Sequence, residues 1–126
     1  MAFRKFTTKS GKTVLAGKDA ESNEKLVEQA EKNELILHTE KPGSPFVNIK
    51  GEASREDIKE AALFCAKYSQ AWKKAKIKKD VEVHVFLRGD VFKLKDMKTG
   101  TFGVNKNKKI MVKKAEIEEV EGQKND

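Results

Sequence analysis

Residues 54–86 read SREDIKEAALFCAKYSQAWKKAKIKKDVEVHVF, and a change of period inside this stretch decides the fold class. Ser54 stands three residues before Asp57, an Asp variant of the capping box, so a helix opens here. Ile58, Ala61, Ala62, Cys65, Ser69 and Trp72 follow on one helical stripe. That stripe predicts a helix to about Lys74, with a lysine-rich end suited to the negative pole of the helix dipole. Beyond Asp80 the period falls to two, with Val81, Val83 and Val85 on one side and Glu82, His84 and Phe86 on the other. That alternation is a strand.

The flanking segments read in the same way. Phe3 and Phe6 precede the turn sequence Lys9-Ser10-Gly11-Lys12, and Thr13-Val14-Leu15-Ala16-Gly17 follows it, which predicts a hairpin over residues 3–17. Asp19 caps a short helix reaching about Ala30, with Leu26, Val27 and Ala30 on one face. Leu35 to Thr39 is a short strand, the segment KPGSP breaks regular structure, and Phe46-Val47-Asn48-Ile49 resumes an extended pattern. Short extended pieces at 91–94, 101–104 and 109–113 complete a strand-rich C-terminal half, with Gly89-Asp90, Gly100 and Asn105-Lys106-Asn107 as turns. This order predicts a single α+β domain over residues 1–114, a mixed or antiparallel sheet with two main helices. Residues 115–126 are expected to be an acidic, flexible tail.

Size and composition narrow the function. With 126 residues there is room for one hydrophobic core, and the longest apolar runs, such as Leu35-Ile36-Leu37, are far shorter than the roughly 20 residues of a membrane span. The N-terminal sequence MAFRKFTTKSG has basic residues but no apolar signal region, so a cytoplasmic protein is expected. One cysteine, Cys65, and two histidines exclude a disulfide scaffold and a zinc finger, and no metal or cofactor is expected.

The charge is uneven. The formal net charge is +7, and the last twelve residues carry five acids and one lysine, so residues 1–114 hold +11. Lys73, Lys74, Lys76, Lys78 and Lys79 form one run, and Lys106, Lys108, Lys109, Lys113 and Lys114 another. A basic domain of this kind suits a polyanion, whether RNA, DNA or an acidic protein surface, although a solvated lysine-rich surface has the same composition.

Individual residues admit two readings each. His38 ends a strand just before the loop at 40–45, where the ring either meets a phosphate or base edge or is satisfied by backbone. His84 falls on the polar side of its strand, as surface decoration. Cys65 lies on the apolar stripe, as core. Trp72 ends that stripe among lysines, placed for core packing or for base stacking. Asp19 and Asn23 flank the start of the first helix, where capping accounts for their types. The Pro42-Gly43-Ser44 loop offers N–H groups and a hydroxyl to a phosphate, or is a plain turn.

Taken together, GKDAESNEKLV (17–27), LHTEKPGSP (37–45), EAALFCAKYSQAW (60–72) and FKLKDMKTGTFGVNKNKKI (92–110) resemble, in that order, the NFACT RNA-binding domain of ribosome-associated quality-control factors. That family includes bacterial proteins once called fibronectin-binding. The matching positions are Gly17, Lys18, Asp19 and Asn23; His38, Pro42, Gly43 and Ser44; Glu60, Ala61, Ala62, Tyr68 and Ser69, with an Ala71-Trp72 pair like the archaeal and eukaryotic branch; and Lys93, Lys95, Gly100 and Phe102. The sequence departs from the family pattern at Pro45, where His is frequent, at Val85-Phe86, and at Leu94, which splits a lysine pair.

The resemblance implies a non-catalytic RNA-binding module acting on tRNA or ribosomal RNA, in translation or ribosome-associated quality control. It does not imply the elongation of stalled nascent chains that full-length members support through other domains. The expected RNA-contacting residues are Lys73, Lys74, Lys76, Lys93 and Lys95 along the phosphate backbone, with Lys18, Lys41, Gly43 and Ser44 adding local contacts and His38 or Trp72 adding stacking. Asp19, Asn23, Gly100 and Phe102 are expected to be structural. The expected partners are RNA, the ribosome and a separately encoded protein resembling the missing N-terminal part, with no membrane. Two other readings stand beside this one: an adapter whose lysines meet an acidic or ribosomal protein surface, and an RNA-processing enzyme using His38 with Asp19.

Overall fold

A computed structural model describes residues 3–123. Six strands form one antiparallel sheet: β1 (Arg4–Thr7), β2 (Thr13–Ala16), β3 (Leu35–Thr39), β4 (Val47–Ile49), β5 (Val81–Leu87) and, at the far edge, a strand near the C-terminus. Between β5 and that edge strand, β6 (Val91–Phe92) and β7 (Gly103–Val104) pair as a separate ribbon. The edge strand is therefore β8 (Lys108–Val112), and the sheet order is β1-β2-β4-β3-β5-β8.

Helix α1 (Ala20–Gln29) lies on one face and α2 (Arg55–Lys67) on the other. Alternation along each strand feeds both. Val14, Leu37, Val47, Val83 and Val85 pack with Ala61, Ala62 and Cys65 of α2, while Ile36 and Phe86 point the opposite way and meet Leu26 and Val27 of α1. Because β3 and β5 pair with Leu37 opposite Val85 and Ile36 opposite Phe86, both cores are filled row by row. Burial pushes the Cys65 thiol up to about 12, as befits a core residue.

Both predicted N-caps form. Asp19 accepts from the Ser22 N–H at 2.8 Å, and Ser54 accepts from the Asp57 N–H at 3.1 Å while Asp57 returns a bond to the Ser54 N–H. Asp57 also accepts from the Ser10 hydroxyl at 2.6 Å, which ties the β1–β2 turn to the start of α2.

Two expectations need correction. The helix beginning at Ser54 does not run to Lys74. It ends at Lys67, and a separate short helix, α3 (Gln70–Lys73), starts after Ser69. The buried Ser69 hydroxyl donates to the Ala66 carbonyl at 2.7 Å and accepts from the Trp72 N–H at 3.2 Å, so its side chain competes with the helix and turns the chain. Within the stretch 115–126 expected to be a flexible acidic tail, Lys114–Gln123 form a fourth helix, α4, and 124–126 lie outside the described residues. Its Ile117 is fully buried in the α2 core, Asp80 accepts the Lys114 N–H at 2.8 Å, and Glu121 accepts the Trp72 indole N–H at 2.9 Å. The excess of acids concealed Ile117 and Val120, which lie three residues apart on one helical face.

Ile117→Ala is expected to lower stability by about 2–5 kcal/mol in urea unfolding; a loss below the resolution of the titration would mean that α4 is not docked. A second expectation concerns acid. The Ser10 hydroxyl, then the Ser54 N–H and the Thr8 hydroxyl, hold the Asp57 carboxyl well below the usual carboxylate range. A carboxyl depressed on folding stabilises the protein above its unfolded pKa, and that contribution fades as pH falls through the folded value. Ser10→Ala is thus expected to be less stable than the wild type near neutrality, with the difference shrinking below about pH 4. A pH-independent difference would detach the Ser10 contact from Asp57.

Candidate nucleic-acid interface

A cleft of about 650 Å³ opens on the α1 face of the sheet. The turn at Gly17 and the first residues of α1 form one wall, the loop at 42–46 another, and the segment 99–102 a third. His38, His84 and Phe86 line its sheet side, and Arg4, Tyr68 and Lys73 also border it.

Short-range chemistry holds each wall. Gly17 has no side chain because the Asn23 carboxamide occupies that space: a Cβ there would lie 1.9 Å from Asn23 Oδ1. The same oxygen accepts the Phe46 N–H at 3.0 Å and so fixes the loop before β4. One residue on, Glu24 accepts the Gly100 N–H at 2.6 Å and the Lys93 ammonium at 3.0 Å. Burial pushes the Glu24 carboxyl up, but these bonds outweigh it and the net shift is downward. Gly100 has φ +79 and abuts Ala20, so a larger residue there meets both strain and a clash. Phe102 then packs edge-on against Phe46, ring centres 5.7 Å apart.

The loop after β3 is clamped as firmly. The buried Ser44 hydroxyl accepts the Thr39 N–H at 3.0 Å and donates to the Pro45 carbonyl, and the Gly43 carbonyl accepts the Gln70 N–H at 2.8 Å. The Ser44 hydroxyl is thereby engaged inside the protein and does not present itself to the phosphate for which the sequence proposed it. Gly43, at φ +90, is exposed and lines the cleft.

His38 and His84 are directly opposed across β3 and β5. The His38 ring packs on Phe46, centroids 4.5 Å apart, and its Nδ1 lies 2.7 Å from the Thr39 carbonyl. A carbonyl only accepts, so the hydrogen belongs on Nδ1 and Nε2 remains an acceptor. Burial depresses the His38 pKa despite that bond, and the neighbouring His84 adds to the effect. His84 Nε2 lies 2.8 Å from a Glu82 oxygen. Asp19 lines the same cleft as His38, but its carboxylate caps α1 and is held low by the Ser22 N–H.

The lysines separate into groups. Lys18 and Lys73 line the cleft together with His38 and Gly43. Lys41 and Lys76 line a second hollow of about 400 Å³, which shares Thr39 and Glu40 with the first and displays Ile77 and Met111. Lys74 and Lys95 are exposed and line neither. Lys93 has a structural engagement: besides Glu24 it donates to the Lys98 and Thr101 carbonyls at 2.6 and 2.8 Å and lies over the Phe102 ring. Trp72 is only 2% exposed, so its ring is core and has no face for a base.

Arg4, Lys67 and Tyr68, outside the expected contacts, complete the rim around Lys73. The Arg4 guanidinium lies 4.4 Å from the Tyr68 ring centre, and the Lys67 and Lys73 ammonium groups each lie 5.3 Å from it. Among the described residues, Arg4, Lys18, Lys67 and Lys73 form no ion pair with a carboxylate, whereas Lys25, Lys50, Lys93, Lys109 and Lys113 do. Tyr68 flanked by Lys67 was a visible signal. Arg4, on a strand 64 residues away, had none.

A family model described as the NFACT protein RNA binding domain matches residues 2–106. The chain is 37% identical over 73 residues to the archaeal Rqc2 homolog aRqcH of Methanocaldococcus jannaschii, an alignment covering 55% of this chain and 11% of that protein. Its fold is similar to the C-terminal part of the fibronectin/fibrinogen-binding protein of Streptococcus suis, with a TM-score of 0.80 at 23% identity, over 94% of this chain and 49% of the solved one.

Gly17→Ala is expected to drive the Asn23 carboxamide from the Phe46 N–H and cost about 1–3 kcal/mol in thermal or urea unfolding. An unchanged unfolding midpoint would show that the α1 wall does not depend on that fit.

Proposed function

The chain belongs to the NFACT RNA-binding domain family, and on that premise we propose that it is a non-catalytic module that lays its cation-bearing rim along a structured RNA, tRNA or ribosomal RNA, in ribosome quality control. One observation carries this reading: Arg4, Lys67 and Lys73 converge on the Tyr68 ring with no carboxylate partner among the described residues. Like charges gathered around one ring repel, and a polyanion relieves that repulsion. Lys18 adds a cation to the cleft lining, and Lys41, Lys74, Lys76 and Lys95 add exposed charge. Backbone contacts of this kind position the RNA without reading its sequence, so shape selects the partner.

A second reading has its own observation. Ile77 is 74% exposed and Met111 49% exposed in the second hollow, beside Lys41, Lys76 and Lys79. An acidic protein segment with an apolar side chain suits that mixture, which is the adapter reading.

Binding of a fluorescent tRNA across a salt series tests both. If about five phosphates are neutralised, the slope of log affinity against log salt is expected near −3.5, using the single-strand coefficient. Arg4→Ala with Lys73→Ala is expected to flatten it by about 1.4. A tRNA that fails to bind at low salt overturns the RNA reading and moves the adapter ahead.

A further inference from the structure

Phosphate contacts along the rim leave the cleft behind it unexplained. Its volume of about 650 Å³ lies in the range of small-ligand sites, and a duplex cannot enter it. Two of its lining rings, Phe102 and Tyr68, are only half-buried, each with cations beside it, Lys93 over Phe102 and Arg4, Lys67 and Lys73 around Tyr68, while Phe46 and Phe86 are closed beneath. At the sheet side, His38 has committed Nδ1–H to the Thr39 carbonyl, and no protein group occupies Nε2 among the described residues. Aromatic surface, a free acceptor and cations at the mouth are the requirements of one unstacked nucleotide.

We propose that this cleft receives a single unpaired RNA nucleotide, with its base against Phe102, its exocyclic amino group donating to His38 Nε2, and its phosphate at the Arg4, Lys18 and Lys73 side chains. The inference rests on the RNA-binding reading above and deepens it, because it adds base discrimination to a surface that otherwise follows the backbone. Neutral His38 is what gives the preference its sign: burial holds the ring unprotonated near neutrality, so Nε2 accepts and does not donate. The acids and the second imidazole of the lining agree, while Gln70, Thr99, Thr101 and Asn107 offer donors and acceptors alike. Glu40 also lines the cleft and is likewise an acceptor, Asp19 is bound to the Ser22 N–H, and His84 Nε2 is bound to Glu82. Adenine and cytosine offer an amino group on the Watson–Crick edge, and uracil offers a carbonyl at the corresponding place. An adenylate or cytidylate placed with its amino group at Nε2 is therefore favoured over a uridylate, which has a carbonyl there and only its ring N3–H to donate.

The test is fluorescence anisotropy near neutral pH with short single-stranded oligomers of adenylate, cytidylate, uridylate and purine ribonucleotide, the last an adenylate without its amino group. A structured tRNA is titrated beside them. One hydrogen bond of ordinary strength corresponds to about three- to tenfold in affinity. The wild type is expected to bind the adenylate and cytidylate oligomers more tightly than the uridylate one, and adenylate more tightly than purine ribonucleotide, by that factor. His38→Phe, which keeps a ring and removes the acceptor, is expected to erase both ratios. The two wild-type ratios decide the matter even if that variant does not fold. Equal affinities for adenylate and purine ribonucleotide, or ratios that survive in folded His38→Phe, overturn the nucleotide cleft while tRNA binding stands. Failure of every RNA to bind overturns the RNA-binding reading itself, and the cleft assignment with it.

Discussion

The Asn23 carboxamide oxygen occupies the space where a Gly17 side chain would be and takes the Phe46 N–H at 3.0 Å; the whole cleft hangs on this contact. It joins the entry to α1, the first turn of that helix and the entry to β4. Glu24, the next residue, extends the same anchorage in the other direction by holding Gly100 and Lys93. Two consecutive side chains on one helical turn thus set the distance between the β4 loop and the segment before β7. Both bonds are of the kind that is costly to break, because each satisfies a backbone N–H that has no strand or helix partner.

The distribution of charge follows from what surrounds each lysine. Lys50 and Lys93 meet carboxylates that burial would otherwise penalise, Glu34 and Glu24, and are held by several bonds each. Those lysines belong to the architecture. The cations around Tyr68 do the opposite, meeting a ring instead of an acid. A ring face attracts a cation weakly without neutralising it, so the positive potential at the rim is retained for a partner. Net charge alone does not separate these two populations of lysine. Only the location of the acids does.

The C-terminal helix shows the same limit from the other side. Its acids read as a flexible tail, yet one buried isoleucine and a carboxylate beneath an indole N–H dock it on α2 and Trp72. Burial of one apolar side chain stabilises a contact more than exposed charges oppose it in water. The docked helix also explains why Trp72 is core, since α4 completes the enclosure that α2, α3 and the sheet leave open.

Much of the architecture was legible locally. The caps at Asp19 and Ser54, the alternation of Val81 to Phe86, the hairpin turn at Gly11 and the α+β class all depend on neighbours within about four residues, which is the range over which capping and periodicity act. The motif Gly17, Asn23, Gly100 and Phe102 was legible too, as a family pattern, though its reason was not: the pattern marks close contacts in the cleft walls, Gly17 with Asn23, Gly100 with Ala20 and Phe102 with Phe46. What tertiary structure alone decided is the sheet order β1-β2-β4-β3-β5-β8, the turn that the Ser69 hydroxyl imposes, and the meeting of Arg4 with Tyr68. These depend on pairings between residues far apart in the chain, and a one-dimensional pattern of residue types carries the preference of each strand for a buried face without the identity of its partner.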